Sequence, residues 1–381
     1  MHIACVGGGP ANLYFSILMK LVDPARDITV YERNPEGSTY GWGVTFWGDL
    51  RDRLLSTDPE TARAIVDGSV HWDSWLMRVH DRATVTLENA EEGLGIGRRE
   101  LLAILADRAR SLGVRIAYEH EVAAEEELAG ADLVIAGDGA GSALRERHAD
   151  HFGTDVATGR DPYVWLGTTK VFDAFTFAFA ETEHGWIWCY GYPYGKANST
   201  CVVECFPQTW RGLGLDEAGE ADGLALLEKL FAEVLDGHPL IGGGGGRWQR
   251  FRTVTNRTWH RGNLVLLGDA AHTTHYSIGA GTALALGDAA FLVHALHNTP
   301  RLPEALAWFE RERMAAIRPT QRAARYSARW YENLDRYVGL PPEHLLTLLG
   351  RRHSPLLSRV PPRLYYRAGW LGSRIARPFA W

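Results

Sequence analysis

The sequence predicts an α/β chain: a parallel-sheet domain, an antiparallel β-sheet inserted into it, and a C-terminal helical region. Three observations carry this. A strand, a glycine-rich turn, a helix and a second strand follow one another within residues 1–34. From about residue 160 to 206 the pattern changes to alternating apolar and polar positions rich in β-branched and aromatic side chains. From 263 the buried-strand pattern returns, and only helices follow. The expected boundaries are 1–155 and 256–302 for the two parts of the parallel domain, 156–255 for the insert and 303–381 for the helical region.

The elements follow in order. "HIACVGG" is a short β-branched strand running into glycines, and Leu13, Phe15, Ile17, Leu18 and Leu21 mark the helix after it. "DITVYERN" (27–34) is the next strand and completes a βαβ unit. "RRELLAILADRARSLGVRIAYEHEV" gives a helix, a stop at Gly113 and a strand, and "ADLVIAGDGAGS" (131–142) a buried strand ending in glycines. "YVWLGTTKVF", "FTFAFAETEHGWIWCYGYP" and "STCVVECF" alternate as antiparallel strands do. The five glycines 242–246 read as a flexible loop, because no strand leads into them and no helix follows. "NLVLLGDAAH" (263–272) is again a buried strand, with a helix from about Thr282. Residues 304–335 form one long helix, after which Pro341, Pro342, Pro355, Pro361 and Pro362 break up a helical tail.

The 381 residues are 46% hydrophobic and 23% charged, the profile of a globular chain with room for two or three packed units. A net charge of −6 argues against a nucleic-acid partner. Charge is uneven: residues 311–381 hold 14 Arg against four acids, +10, which leaves −16 on the first 310. A basic tail docked on an acidic body explains this, and a site for a polyanionic ligand is the alternative. The 14 Trp, 14 Tyr and 13 Phe supply core and suit a cavity for a flat ring. Cys5, Cys189, Cys201 and Cys205 show no metal-ligand spacing. Cys201 and Cys205 lie in one strand, roughly 13 Å apart, too far for a disulfide. A reduced, cytoplasmic chain without a metal is expected. No cleavable leader and no apolar run of roughly 20 residues is evident, so no membrane partner is expected.

"VGGGPANLYF" (6–15) places Gly7 and Gly9 at the first two positions of G-x-G-x-x-G and Asn12 at the third. Glu32 ends the second strand. Such a unit binds a dinucleotide: the helix N-terminus faces the pyrophosphate, and the acid accepts hydrogen bonds from ribose hydroxyls. The third glycine serves helix–strand packing, so Asn12 should disturb packing before phosphate binding. "GDGAGSALR" (137–145) sets Asp138 at a strand end, ahead of a helix with Arg145. "GDAAHTTHYSIGAGTALALGD" (268–288) sets Asp269 likewise. Each alone is equally a strand-to-helix turn capped by Asp; their order and spacing make the set specific.

With these motifs the chain resembles, over essentially its whole length, the FAD-dependent aromatic hydroxylases (group A flavoprotein monooxygenases), the class of p-hydroxybenzoate hydroxylase. "VWLGTTKVFDAFTFAFAETEHGW", "STCVVECFPQTW", "FAEVLDGHPLI" and "GNLVLLGDAAHTTHYSIGAGT" are similar to the salicylyl-CoA 5-hydroxylase and anthraniloyl-CoA monooxygenase group. The resemblance implies a Rossmann-like FAD-binding domain of that type, with an inserted β-sheet substrate domain and C-terminal helices. It implies that Gly7, Gly9, Pro10, Ala11, Asn12, Glu32 and Arg33 hold the adenosine half of FAD, with Arg98 near the phosphates or ribityl chain. Asp138 and Gly139 would contact FAD and assist transient binding of NADH or NADPH. Asp269 would bond the ribityl and phosphate region, and Gly279, Ala280, Gly281 and Thr282 would pass beside the isoalloxazine. Gly43 and Val44, in "YGWGVTFWGD" (40–49), would form a second wall. One dinucleotide unit suits a class in which nicotinamide visits without its own domain and no separate reductase is needed.

The implied reaction is hydroxylation of an aromatic ring with O2 through a flavin C4a-hydroperoxide, with salicylyl-CoA at C5 as the expected substrate. A tailoring hydroxylase of a free aromatic or indole ring is the alternative. A halogenase, suggested by Trp186 and Trp188 in a W-x-W, and a non-catalytic FAD sensor are weaker readings, since Tyr190 and Gly191 replace the halogenase Ile-Pro. His275 is the candidate for polarising the phenol proton, or equally a structural histidine; Tyr276 is the candidate ring contact. His272 is expected to be structural. The phosphates of CoA would be met by some of Arg322, Arg325, Arg329, Arg351 and Arg352. Ala283 and Gly287 depart from nearer members, which carry Lys and Glu there.

Overall fold

The structure, a computed structural model, describes residues 1–373 apart from 48, 81–83, 89, 91 and 244–246. Three of the five glycines expected to form a loop, and residue 48 of the 40–49 segment, lie outside the described residues.

A six-stranded sheet runs in the order His260–Arg261, Leu264–Leu266, Leu133–Ala136, His2–Val6, Asp27–Tyr31, Arg115–Ala117. It is parallel except at its first strand. Its strands are nearly unbroken apolar runs because helices cover it. Pro10–Val22, Arg98–Ser111 and Gly281–Asn298 contribute Phe15, Leu105 and Leu292 to one core with Ile3, Val30 and Ile135. The strand beside Leu133–Ala136 arrives from the far side of the insert, so both ends of the chain build this sheet.

The second sheet is antiparallel apart from one pairing. Asp155–Thr168, Ser199–Cys205, Gly185–Pro193 and Phe175–Thr182 lie side by side. Trp75–Val79 then pairs in parallel with Phe175–Thr182. The period of two decides what each face meets. Phe177, Phe179, Trp186, Trp188 and Tyr190 pack on Trp330, Tyr331, Leu345 and Leu349 of the C-terminal helices. Ala178, Ala180, Ile187, Cys189 and Cys201 face Leu227 and Phe231. All four cysteines are free and buried. A third, three-stranded sheet joins Gly43–Trp47, Gly93–Gly97 and Val70–Trp72. The long helix runs Leu302–Tyr331 with Pro319 inside it. No described helix is long and apolar enough to cross a membrane.

Three buried polar braces hold the motif turns together. Asn12 is wholly buried, and its Nδ2 donates to Val6 O and Gly7 O, both at 2.9 Å. A Cβ on Gly137 would lie 2.4 Å from Asn12 Oδ1, so asparagine fits at the third glycine position because the facing strand end is itself glycine. Arg145, also wholly buried, donates to Ala140 O at 2.8 Å and Ala270 O at 3.3 Å and ties the second motif to the third. Asp288 accepts from Arg313 Nε at 2.6 Å, pairs with His272 Nε2 at 2.9 Å and accepts from Gly268 N–H at 3.1 Å. A Cβ on Gly287 would lie 2.7 Å from Arg313 Nη2, so that glycine makes room for the guanidinium.

Burial pushes the Asp288 carboxyl up, but His272 and Arg313 outweigh it and hold it below the usual carboxylate range. Its native value lies under the unfolded one of about 3.9, so the stabilisation is complete above about pH 4 and is lost as pH falls through the native value. Asp288→Ala leaves Arg313 buried and unpaired. It should lower the unfolding free energy by about 3–5 kcal/mol, read from the urea midpoint at neutral pH.

Candidate active site

The glycine turn opens onto a cavity of about 500 Å³ lined by Gly7, Gly9, Glu32, Arg33, Asp138 and Gly139. Gly7 has φ of 101°, and a Cβ there would lie 2.5 Å from Gly137 O, so only glycine lets the turn close. Pro10 opens the helix, whose first internal bond runs from Leu13 N–H to Gly9 O at 3.1 Å. The N-terminal N–H groups therefore face the turn, with the positive end of the helix dipole. Pro10, Ala11 and Asn12 are buried behind the turn and do not line the cavity. The Glu32 carboxylate accepts from Gly8 N–H at 2.7 Å and Asn34 N–H at 2.8 Å. Asp138 accepts from Ala143 N–H at 2.8 Å through Oδ2, while its Oδ1 is buried without a partner.

A second cavity, of about 370 Å³, collects Gly43, Val44, Asp269 and the loop Gly279, Ala280, Gly281 and Thr282. Arg98 and Ala140 line both cavities, so they meet there. Arg98 Nε is buried and unpartnered; burial pulls the guanidinium pKa down while Asp269 opposes the shift. The Asp269 carboxyl is raised by its surroundings, with His272 and Arg98 pulling the other way. An unpartnered guanidinium midway between a glycine cradle and a wide aromatic cavity fits a diphosphate linking a nucleoside to a flat ring.

The far end of the second cavity is aromatic: Trp75, Phe175, Phe177, Tyr190, Tyr192 and Tyr276. The Tyr190 and Tyr276 rings stack 6.2 Å apart and both hydroxyls are buried; that of Tyr190 has no partner, and that of Tyr276 lies beside the Glu204 carboxyl without a bond of good geometry. Burial holds both phenols well above their usual pKa, so they stay protonated donors. His275 does not share this cavity. It lines a third one, of about 220 Å³, against Phe251, and its Nδ1 lies 2.9 Å from Ser277 Oγ. Burial, then the Arg352 charge, pushes its pKa down to about 3, which makes it a poor proton acceptor. The structure thus brings Tyr276, but not His275, to the ring-shaped space. Among the expected anion-binding arginines, Arg352 donates to Ser327 Oγ, Leu349 O and Ser277 O at 3.0, 2.8 and 2.7 Å. It pins the loop at the wall of the second cavity, and its acceptors are all neutral. Arg322 and Arg351 line none of these cavities, whereas Arg325 and Arg329 line the third.

Two features were not singled out from the sequence. The cavity aromatics were legible as alternate bulky positions of "FTFAFA" and "WIWCYGY". Glu204 of the "VEC" segment is wholly buried, accepts from Trp188 Nε1 at 3.1 Å and is pushed well above the usual carboxylate range, by burial first. Trp186 and Trp188 lie in the core against the C-terminal helices and line neither cofactor cavity.

A glycine cradle, a central unpartnered arginine and an adjoining aromatic cavity define a flavoprotein of the FAD-binding class. The FAD binding domain family matches residues 50–323. The chain is 38% identical over 351 residues to salicyloyl-CoA 5-hydroxylase of Streptomyces sp, spanning 89% of this chain and 66% of that protein. It is 37% identical over 352 residues to 3-hydroxy-4-methyl-anthranilyl-[aryl-carrier protein] 5-monooxygenase of Streptosporangium sibiricum, covering 92% and 94%. The fold is that of p-hydroxybenzoate hydroxylase: 2-methyl-3-hydroxypyridine-5-carboxylic acid oxygenase superposes with a TM-score of 0.69 at 21% identity, over 89% of this chain and 92% of that one. The chain belongs to the family of FAD-dependent aromatic monooxygenases.

Arg98→Ala should weaken FAD binding roughly 10- to 100-fold, the worth of a charge-assisted hydrogen bond, as read by flavin fluorescence titration of apoprotein. Asn12→Gly should cost about 2–3 kcal/mol of stability, from two lost hydrogen bonds and a helical glycine. It should change FAD affinity only modestly; complete loss of FAD would show that Asn12 itself holds the cofactor. Between pH 6.5 and about 3 only the unfolded chain takes up a proton on His275, so stability falls as pH drops through that window. His275→Gln should flatten that slope in urea unfolding measured across the range.

Proposed function

We propose that the chain is a cytoplasmic, NAD(P)H- and O2-dependent monooxygenase that hydroxylates a phenolic ring carried as a thioester, with salicylyl-CoA, attacked at C5, as the best-matched substrate. The observation that carries this is the pair of buried, protonated hydroxyls on Tyr190, which has no partner, and Tyr276, which lies beside Glu204, inside an aromatic cavity that continues from the cofactor loop. Two relatives support the thioester: one is named for a salicyloyl-CoA, the other for an anthranilyl group on an aryl carrier protein.

FAD, when bound, supplies hydride acceptance and oxygen activation. This chain's residues do the rest. Trp75, Phe175 and Phe177 exclude water and hold the ring flat. Tyr190 and Tyr276, kept protonated by burial, donate to the phenol oxygen and fix its direction, so that the para carbon is the one presented for reaction. Arg352 holds the Ser277 carbonyl, and through it the loop that carries Tyr276.

The test is substrate-stimulated NAD(P)H oxidation by the FAD-loaded protein with a panel of acyl-CoAs and free aromatic rings, with product regiochemistry read by mass spectrometry and NMR. The expected result is coupled oxidation with 2-hydroxybenzoyl-CoA. Stimulation by free rings or indoles alone would overturn the thioester reading. Tyr190→Phe and Tyr276→Phe should each lower kcat/KM roughly tenfold, the loss of one hydrogen bond, with FAD affinity unchanged.

A further inference from the structure

The third cavity, of about 220 Å³, has no part in the reaction described above. One wall is the strand Gln249–Thr255, on which Phe251, Thr253 and Thr255 share a face. The opposite wall is the last part of the helix Leu302–Tyr331, where Arg325 and Arg329 stand one turn apart. Between them the pairing of Asp155–Thr168 shifts register from Thr158 to Pro162. Pro162 has no N–H to give to the ladder, and the bowed segment Gly159–Asp161 opens the space. Phe251, Thr273 and Thr274 line both this cavity and the ring cavity. The two spaces are therefore adjacent across one aromatic ring and two threonines.

Two independent observations point to a ligand. Thr274 is only 8% exposed, and its hydroxyl has no partner in the wall that the cavities share. Arg325 and Arg329 line the space and form no ion pair or side-chain hydrogen bond among the described residues. None of the acids lining the cavity forms an ion pair with either arginine among the described residues. Asp161 is held by Arg160 through bonds of 2.7 and 3.2 Å, burial pushes Glu204 up, and Glu332, also raised by burial, feels the Arg329 charge without pairing with it.

We propose that the third cavity takes the pantetheine arm of a thioester-bound aromatic substrate and that Arg325 and Arg329 meet the phosphate of that arm. This rests on the thioester reading above. With the ring against Tyr190 and Tyr276, the arm passes Phe251. Its carbonyl and amide groups reach the Thr274 hydroxyl and the threonines of the strand, and its phosphate lies between two guanidinium groups on one helix face. The same arm occurs in CoA thioesters and in acyl groups on carrier proteins, so the cavity recognises a chemistry with two sources.

The experiment compares 2-hydroxybenzoyl thioesters of N-acetylcysteamine, phosphopantetheine and CoA on the FAD-loaded enzyme. The phosphopantetheine thioester should exceed the N-acetylcysteamine thioester at least tenfold in kcat/KM. The double variant Arg325→Ala/Arg329→Ala should remove that advantage, with the N-acetylcysteamine rate, the KM for NAD(P)H and FAD affinity unchanged. Ala328→Trp, which fills the cavity from the exposed side of the helix, should likewise slow only the two long substrates. Equal rates with phosphopantetheine and CoA assign recognition to the arm alone, as on a carrier protein. A further preference for CoA that the double variant abolishes assigns it to the free coenzyme. Equal losses on all three thioesters, or no loss at all, overturn the proposal. Wild-type turnover of free 2-hydroxybenzoate as fast as of the thioesters overturns the thioester reading itself, whatever the variants do.

Discussion

The Asp288 carboxylate is the constraint on which the cofactor side of the molecule depends. It lies wholly inside the protein, yet it is charged, because Arg313, His272 and the Gly268 N–H all point at it. Those three partners come from the long helix and from both ends of the turn that carries Asp269. A buried charge tolerates few geometries, since each lost partner leaves an ion in low dielectric. The turn is therefore held where Arg145 can reach Ala270 O from the second motif. Asn12 does the same work at the first motif, gripping Val6 O and Gly7 O. Three turns that are far apart in the chain become one rigid cradle, and Arg98 stands over its middle with a free donor.

The substrate side is built on different physics. Period-two alternation sends every bulky aromatic of two adjacent strands to one face of the sheet. That face is covered by C-terminal helices over most of its area, and the uncovered part is the ring cavity. Polar atoms are scarce there, so the few without partners carry the specificity: an unsatisfied buried hydroxyl costs free energy until a ligand oxygen meets it. Tyr190 and Tyr276 are such groups. Arg352 is not, although its charge and its place in a basic tail made it a natural candidate, because the tail uses it to fasten the Ser277 loop.

Much of this was legible in the residues. The strand–turn–helix unit, Glu32, Asp138 and Asp269 announced a dinucleotide, since each motif is local and its geometry follows from a few adjacent residues. The alternating strands and the long helix were legible for the same reason. Harder to read were Trp75–Val79 joining the antiparallel sheet from the wrong side of the chain, and the pairing of Asn12 with Gly137. Both depend on partners 100 residues or more away. His275 and Tyr276 are neighbours in sequence and in composition alike. The turn between them, held by Ser277, sends one ring into the ring cavity and the other behind Phe251.

The sequence by itself determined the class of the protein: hydrophobic period and glycine spacing specify which segments are strands, which are helices, and where phosphate can approach the backbone. What only the tertiary structure decided is which side chains remain unsatisfied once the chain has packed. Thr274 and Tyr190 are unremarkable letters, and Arg98 was a candidate only by resemblance, until burial removes water from them and leaves a polar atom of each without a partner. Arg145, Arg352 and Asp288 look equally available and are consumed in holding the fold. The difference between a ligand-binding group and a brace is a matter of a few ångströms set by contacts distant in the chain, and residue type and spacing alone do not contain it.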